Sequence, residues 1–469
     1  MRATLTVALI FCPRKKEKEM KKKLLALLLI AAAATAGALG LAGCRQKDNG
    51  KVDNKQETFT EGLSYDLNID CTEYSVSGIG EVTATELSIP KIYNGKPVTS
   101  IDPQAFADCS QLTNVTIPDS VTSIGIEAFK GCSGLKKINI PDSVINLYRS
   151  AFENCGGIVE KENGISYVDN WAVACDTSVT QISFREGTKG IAEYAFANCI
   201  NLTSIIIPNS VISICDFAFN NCIGLINVTI PESVTSIGNA FRNCSNLKYN
   251  EYDNAFYLGN KSNKYIALIT AKHTSITSCT INERTKFIYD SAFQDCSSLL
   301  TIAIPASVTS IGNSAFQNCS RLTTIAIPNG VRSIGYAAFY VCSSLTSISI
   351  PDSVTHIGNS AFCSCSSLTS IIIPDGVTVI GNSMFFGCSS LASITLGNNV
   401  TSFYDYAFFG CRSLTSITIS DSVTFIGFYA FKGCSSLTIY CEAKSKPSGW
   451  YSNWNPSDCP VIWDYKGEE

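Results

Sequence analysis

Histidine is almost missing from this sequence: His273 and His356 are the only two in 469 residues. That leaves little room for imidazole catalysis or for His-ligated zinc, and no CxxC cluster offers a thiolate substitute. Charge is sparse too, at 16%, against 45% hydrophobic residues, a balance that excludes a disordered chain. Basic excess is absent once the first 43 residues are set apart. Without their eight Lys/Arg and two Glu, 27 basic residues face 37 acidic ones, a net charge of −10 from Cys44 onward. A chain of that sign repels phosphate backbones and anionic headgroups, so nucleic acid is not expected as a partner.

The N-terminal segment reads as an export signal. Lys21-Lys22-Lys23 precedes an apolar run from Leu24 to Leu41, which ends in Leu41-Ala42-Gly43-Cys44 and turns abruptly polar. This arrangement resembles a bacterial lipoprotein signal peptide. The resemblance implies cleavage before Cys44, a lipid on its thiol, and a mature chain held on the outer face of a bacterial membrane by that anchor alone. The rival reading is an uncleaved membrane-spanning helix. Met20 stands where such a signal begins, so translation is expected to start there and residues 1–19 to be no part of it. Residues 44–62 are polar and aperiodic, the composition of a flexible tether.

Beyond the tether one unit recurs. Ala-Phe-x-x-Cys appears 13 times, from Phe106/Cys109 to Phe431/Cys434, with Met384 replacing Ala once, and the last seven of these cysteines lie 23 residues apart. A clean copy runs from Leu345 to Cys365. Leu345, Ile348 and Ile350 alternate as in a half-buried strand, Pro351 ends the ladder, and Val354 and Ile357 point inward again. Gly358 is expected to permit a sharp bend, and Ala361-Phe362-x-x-Cys365 to form one helical or 3₁₀ turn. A single unit has nothing to bury these side chains against, whereas stacked units share a continuous core.

The Leu-x-x-Ile-x-Ile-Pro, Ser-Val-Thr-x-Ile-Gly and Ala-Phe-x-x-Cys segments together resemble the BspA-like, or Treponema-type, leucine-rich repeat over about residues 82–440. The resemblance implies a leucine-rich-repeat solenoid with one parallel β-strand per 23-residue coil. It also implies a bacterial surface protein, in a family with adhesins for host matrix proteins or other bacteria and with no catalytic residues to carry over. The expected organisation is an N-terminal cap at 63–86, a solenoid at 87–440 and a C-terminal cap at 441–469. Two hairpin-like insertions interrupt the solenoid, at about 157–176 and 246–273, where the cysteine interval lengthens to 44 and 52.

No cofactor, metal or enzymatic activity is expected. The ladder cysteines read as small buried hydrophobes rather than disulfides or ligands. The acidic residues after the prolines, such as Asp119, Asp142, Glu232, Asp352, Asp375 and Asp421, alternate with Asn and Ala and read as turn chemistry rather than a calcium column. Ser133-x-x-Lys136 and Ser245-x-x-Lys248 are repeat junctions without the motifs that accompany a β-lactamase-type serine. Cys441 and Cys459 bracket a small terminal loop and form the candidate disulfide. The middle residues of Ile-x-Ile give a flat, uncharged face suited to a broad protein or glycan partner on host or bacterial surfaces, or to a spacer without a ligand. Tyr249, Tyr252, Phe256, Tyr257 and Tyr265, in the second insertion, are the candidate ligand contacts, because large aromatic residues concentrate binding energy. Packing over the interrupted core is the competing role for them.

Overall fold

The computed structural model describes residues 59–68 and 73–467, all within one compact unit of the chain. The signal segment, Cys44 and the tether up to residue 58 lie outside them. The described chain is a parallel β-solenoid of about 17 turns, each of about 23 residues. The turns outnumber the 13 motif copies because the insertions and the end segments also wind around the axis.

A regular coil contributes two short strands; the coil of Phe196 keeps only the second, Gly190–Ile191. The Ile-x-Ile strand pairs in parallel with the one 23 residues on, as Thr324–Ala326 does with Ser347–Ser349. The Ser-Ile strand does the same on a second face, as Ser333–Ile334 does with His356–Ile357. In-register stacking puts like residues over like. The ladder phenylalanines form three ring stacks, 106–129–152, 196–219–241 and 293 through 431, with neighbouring centroids 5.0–5.7 Å apart. The stacks break at the two insertions.

The third side of the coil is not helical, and no helix occurs among the described residues. The reason lies in left-handed residues two positions before and two after the ladder Phe, both present at every copy but Phe241, which has only Asn243. Ser314 (φ 53°) and Asn318 (φ 59°) bracket Phe316, and Ser291 and Asp295 bracket Phe293 likewise. A left-handed residue every fourth position prevents continuous right-handed winding. The N–H groups instead alternate. Those of Ser314, Phe316 and Asn318 donate across to Tyr336, Ala338 and Tyr340 of the next coil, while Ala315, Gln317 and Cys319 close turns within their own. Every backbone donor of the segment is satisfied without a helix.

Hydroxyl groups reinforce the stacking. Ser307, Ser353 and Ser422 donate to carbonyls of Thr285, Val331 and Val400 at 2.7–2.8 Å, one coil earlier. Gly358 serves a purpose other than a bend. Its φ lies outside the left-handed region. A Cβ there would fall on the backbone nitrogen of Tyr336 and 2.6 Å from the carbonyl carbon of Gly335, so glycine is required by the close approach of the preceding coil.

The insertions are not simple hairpins. Glu160–Glu162, Ile165–Val168 and Trp171–Cys175 form a three-stranded antiparallel meander whose last strand joins Gly190–Ile191 in parallel. Asn250–Tyr252, Ala255–Leu258 and Ala267–Ala271 repeat this plan and join Phe287–Ile288. Both carry a register shift between the second and third residues of the middle strand, at Ser166/Tyr167 and Phe256/Tyr257. A lysine beyond each module reaches back to the acid of the coil before it, Lys189 to Asp142 and Lys286 to Glu232, each at 3.0 Å.

The second module is a partition. Ala255, Tyr257 and Leu268 pack into the C-terminal core, while Leu258, Ile266 and Ala267 pack into the N-terminal one. At the far end Trp454 stands edge-on against Phe431 and Trp450 packs beside it, closing the third phenylalanine stack.

Candidate binding surfaces

The thiol column is structural. All 19 described cysteines are free, and 18 are buried. In ten coils the ladder thiol donates to the carbonyl of the ladder Phe of the previous coil, as Cys342 does to Phe316 and Cys365 to Phe339, both at 3.1 Å. The three exceptions, Cys109, Cys199 and Cys296, belong to coils without a regular predecessor. Burial pushes Cys296, Cys319, Cys342, Cys365 and Cys388 up, Cys296 to about 11, and thiols held neutral are poor nucleophiles and poor ligands.

The expected pairing of Cys441 with Cys459 is not formed. Cys459 donates its thiol to Cys434 O at 3.2 Å and so extends the ladder. Cys441 ends the strand Thr438–Cys441, whose Ile439 lies opposite Val461. Cys441 thus lies level with residue 463, four residues or about 13 Å of strand from Cys459.

The acidic column is spent on pairing and turns. Asp119 meets Lys91 at 2.8 Å, and Asp375 accepts the N–H of Asn398 at 2.7 Å. Among the described residues no group of three or more His, Cys, Asp or Glu is placed to hold a metal ion. His356 is exposed on its strand opposite Ser333.

The five aromatic residues of the second module do not project together. Tyr257 is completely buried, Tyr249, Phe256 and Tyr265 are half-buried, and Tyr252 alone of the five is exposed. Their rings pack on one another, Tyr252 and Tyr257 each 5.4 Å from Tyr265. The alternation of the strand dictates this, since it sends neighbouring residues into opposite cores.

The Ile-x-Ile face is flat and lacks charge over most of its length. Its middle residues Ile206 and Ile372 are 73% and 65% exposed. At its N-terminal end Phe59, Thr60, Glu86, Asn114, Lys137 and Asn139 line a shallow depression of about 360 Å³.

A more concentrated surface lies on the last coils. Phe386 stacks on Phe409 (4.7 Å), Tyr406 lies 6.0 Å from Phe409 and 5.7 Å from Tyr429, and Phe428 stacks on Tyr451 (4.2 Å). Phe428 lies 6.5 Å from Tyr429, which joins the six rings into one file, and Lys432 sits 4.7 Å above the Tyr429 ring. Tyr406 and Phe428 are exposed and the other four half-buried. The positions two residues before the ladder Phe hold Ser291, Ser314, Ala337, Ser360 and Ser383 in the five preceding coils but Tyr406 and Tyr429 here, as they hold Tyr194 and Phe217 nearer the N-terminus. Both tyrosines adopt φ near +60°, a conformation costly for a bulky residue. This file was not anticipated from the sequence. The signal available was the change of these flanking positions from small to aromatic.

The repeat that builds these surfaces matches the family model described as a BspA type leucine rich repeat region, over residues 62–159, 99–177, 167–265, 264–374 and 355–444. The chain belongs to the BspA-type leucine-rich repeat family. Among solved structures it is similar to a leucine-rich repeat protein from Bacteroides ovatus, at 26% identity over 87% of this chain and 100% of that one, with a TM-score of 0.35. A leucine rich cell surface protein from Faecalibacterium prausnitzii is also 26% identical, over 89% and 100%, with a TM-score of 0.25. A leucine-rich repeat protein from Eubacterium ventriosum is 23% identical over 83% and 95%, with a TM-score of 0.37. No curated protein matches the chain. In this BspA-type repeat the inward Leu, Ile, Val, Phe and Cys recur from coil to coil, and the outward positions are where the coils of this chain differ.

Proposed function

We propose that this chain is a non-catalytic cell-surface lipoprotein, anchored through a lipid on Cys44, whose repeat rod binds a protein or glycan on host or bacterial surfaces. The family supports a surface repeat protein built for macromolecular interaction. The observation that carries binding is the aromatic file of the last coils, where six rings run together around Tyr406 and Tyr429, against the single Tyr194–Phe217 pair that the same left-handed positions hold further up the rod. The repeat imposes this backbone along the rod, so what sets the last coils apart is the number of rings gathered there, and large aromatic residues concentrate binding energy. The flat −10 exterior leaves nucleic acid out.

A spacer without a ligand is the second reading, favoured by the inward packing of the second module. A retention assay separates the two. Residues 45–469 are immobilised and challenged with host matrix and bacterial surface fractions, alongside a variant carrying Tyr406→Ser, Phe428→Ser and Tyr429→Ser. Binding lost in the triple variant supports recognition by the file. Failure of every fraction to bind the parent chain supports the spacer. Anchoring is tested separately: a Cys44→Ser chain is expected to leave the membrane fraction, and its retention there would favour an uncleaved helix.

A further inference from the structure

Cys175 differs from the other described cysteines in being half-exposed. It ends the third strand of the first module, Trp171–Cys175, beside Cys199, the first ladder thiol beyond that module. Cys199 lacks the acceptor its column normally has, because the insertion displaces the regular coil that would supply a Phe carbonyl. Its thiol instead faces Asp176 O at 3.9 Å, and Cys175 reaches the same oxygen at 3.5 Å. The two thiols therefore converge on one carbonyl oxygen. Cys296, the first ladder thiol after the second module, has Cys279 for its module-side neighbour, and Cys279 is buried. Solvent thus reaches a paired thiol at one break and not at the other.

We propose that Cys175 and Cys199 form a redox-active dithiol that a peroxide closes to a disulfide. The exposed Cys175 sulfur attacks one peroxide oxygen. The O–O bond breaks, an S–O bond forms and water leaves, giving a sulfenic acid. The Cys199 sulfur then attacks the Cys175 sulfur, the S–O bond breaks, the S–S bond forms and a second water leaves. The two thiols give up two electrons and two protons, and hydrogen peroxide accepts both. Burial protects the remaining ladder from the first step, since oxidation needs solvent access as well as thiolate character. Closure ties the first module to the coil that follows it, and it does so whatever the rod binds.

The test uses reduced residues 45–469, treated briefly with hydrogen peroxide, blocked with a thiol alkylator while still folded, and digested for mass spectrometry. The expected product is one cross-linked peptide pair joining Cys175 to Cys199, lighter by two hydrogens than the reduced peptides. A Cys199→Ser chain is expected to stop at the sulfenic acid, trapped by a dimedone-type probe at Cys175. The proposal is overturned if wild-type Cys175 is unmodified, if it passes to sulfinic or sulfonic acid without cross-linking, or if it pairs with any other cysteine. The wild-type result stands on its own should the variant fail to fold.

Discussion

The thiol of Cys342 donates to the carbonyl oxygen of Phe316, 3.1 Å away in the preceding coil, and the same oxygen accepts the N–H of Cys319. One acceptor thus serves both its own turn and its neighbour. The position requires a side chain small enough for the core that still carries a donor, and cysteine meets both demands at a low desolvation cost.

Cys342→Ala is therefore expected to lower unfolding stability by about 1–2 kcal/mol, combining a lost hydrogen bond with a small void. Urea denaturation measures it. An unchanged midpoint would mean the thiol contact contributes nothing.

The buried thiols also set a pH limit. Burial raises the folded values of Cys296 and Cys441 above the ordinary 9.0, to about 11 and about 12, and raises Cys319, Cys342, Cys365 and Cys388 likewise. A group whose folded value is raised contributes fully below its unfolded value and loses that contribution as pH rises toward the folded one. The protein is expected to be most stable below about pH 9 and to weaken progressively between 9 and 12. Thermal melts across that range check it, and a flat profile would contradict burial of the column.

Two glycines separate close approach from backbone freedom. Gly358→Ala places a methyl group on the backbone of Tyr336 and Gly335 and is expected to cost about 1–3 kcal/mol. At Gly387, with φ +72° and a nearest atom at 3.5 Å, alanine meets only the left-handed penalty of about 1–2 kcal/mol. The Gly358 variant is expected to show altered packing around Tyr336 in amide spectra, and the Gly387 variant none.

Exposed and buried tyrosines should part company. Tyr406→Asn relieves a left-handed tyrosine while losing ring contacts, so stability is expected to stay within about 1 kcal/mol as binding to a retained fraction falls. Tyr257→Asn buries an amide in place of a fully buried ring and is expected to cost more than about 3 kcal/mol. Melting and retention measured together distinguish the two.

The period, the inward Phe and Cys, and the Ile-x-Ile strand were legible in the sequence because in-register stacking repeats one environment 23 residues apart, whereas the two-residue Ser-Ile strand was legible only as a second inward stretch. The non-helical turn was legible in part. The position two after the ladder Phe holds Asp108, Gly131, Asn154, Asn318 and Gly410, residue types that tolerate left-handed backbone, although Ala-Phe-x-x-Cys alone reads as a helical turn. The module aromatics misled for a different reason. Composition shows that Tyr249 to Tyr265 carry bulk, but only pairing shows which face of a strand meets a core, and Tyr257 and Leu258 meet different ones. The thiol-to-carbonyl contact needs two coils at once and leaves no trace in either.

The ladder thiols are reduced and inaccessible inside a dry core, and counting reactive thiols tests that most directly. Residues 45–469 are labelled with an alkylating reagent, first folded and then in denaturant, and the sites are read by mass spectrometry. Of the described cysteines, Cys175 is expected to label in the folded protein, and all 13 ladder thiols only after denaturation. Labelling of the ladder in the folded state, or its recovery as disulfides, would contradict the account.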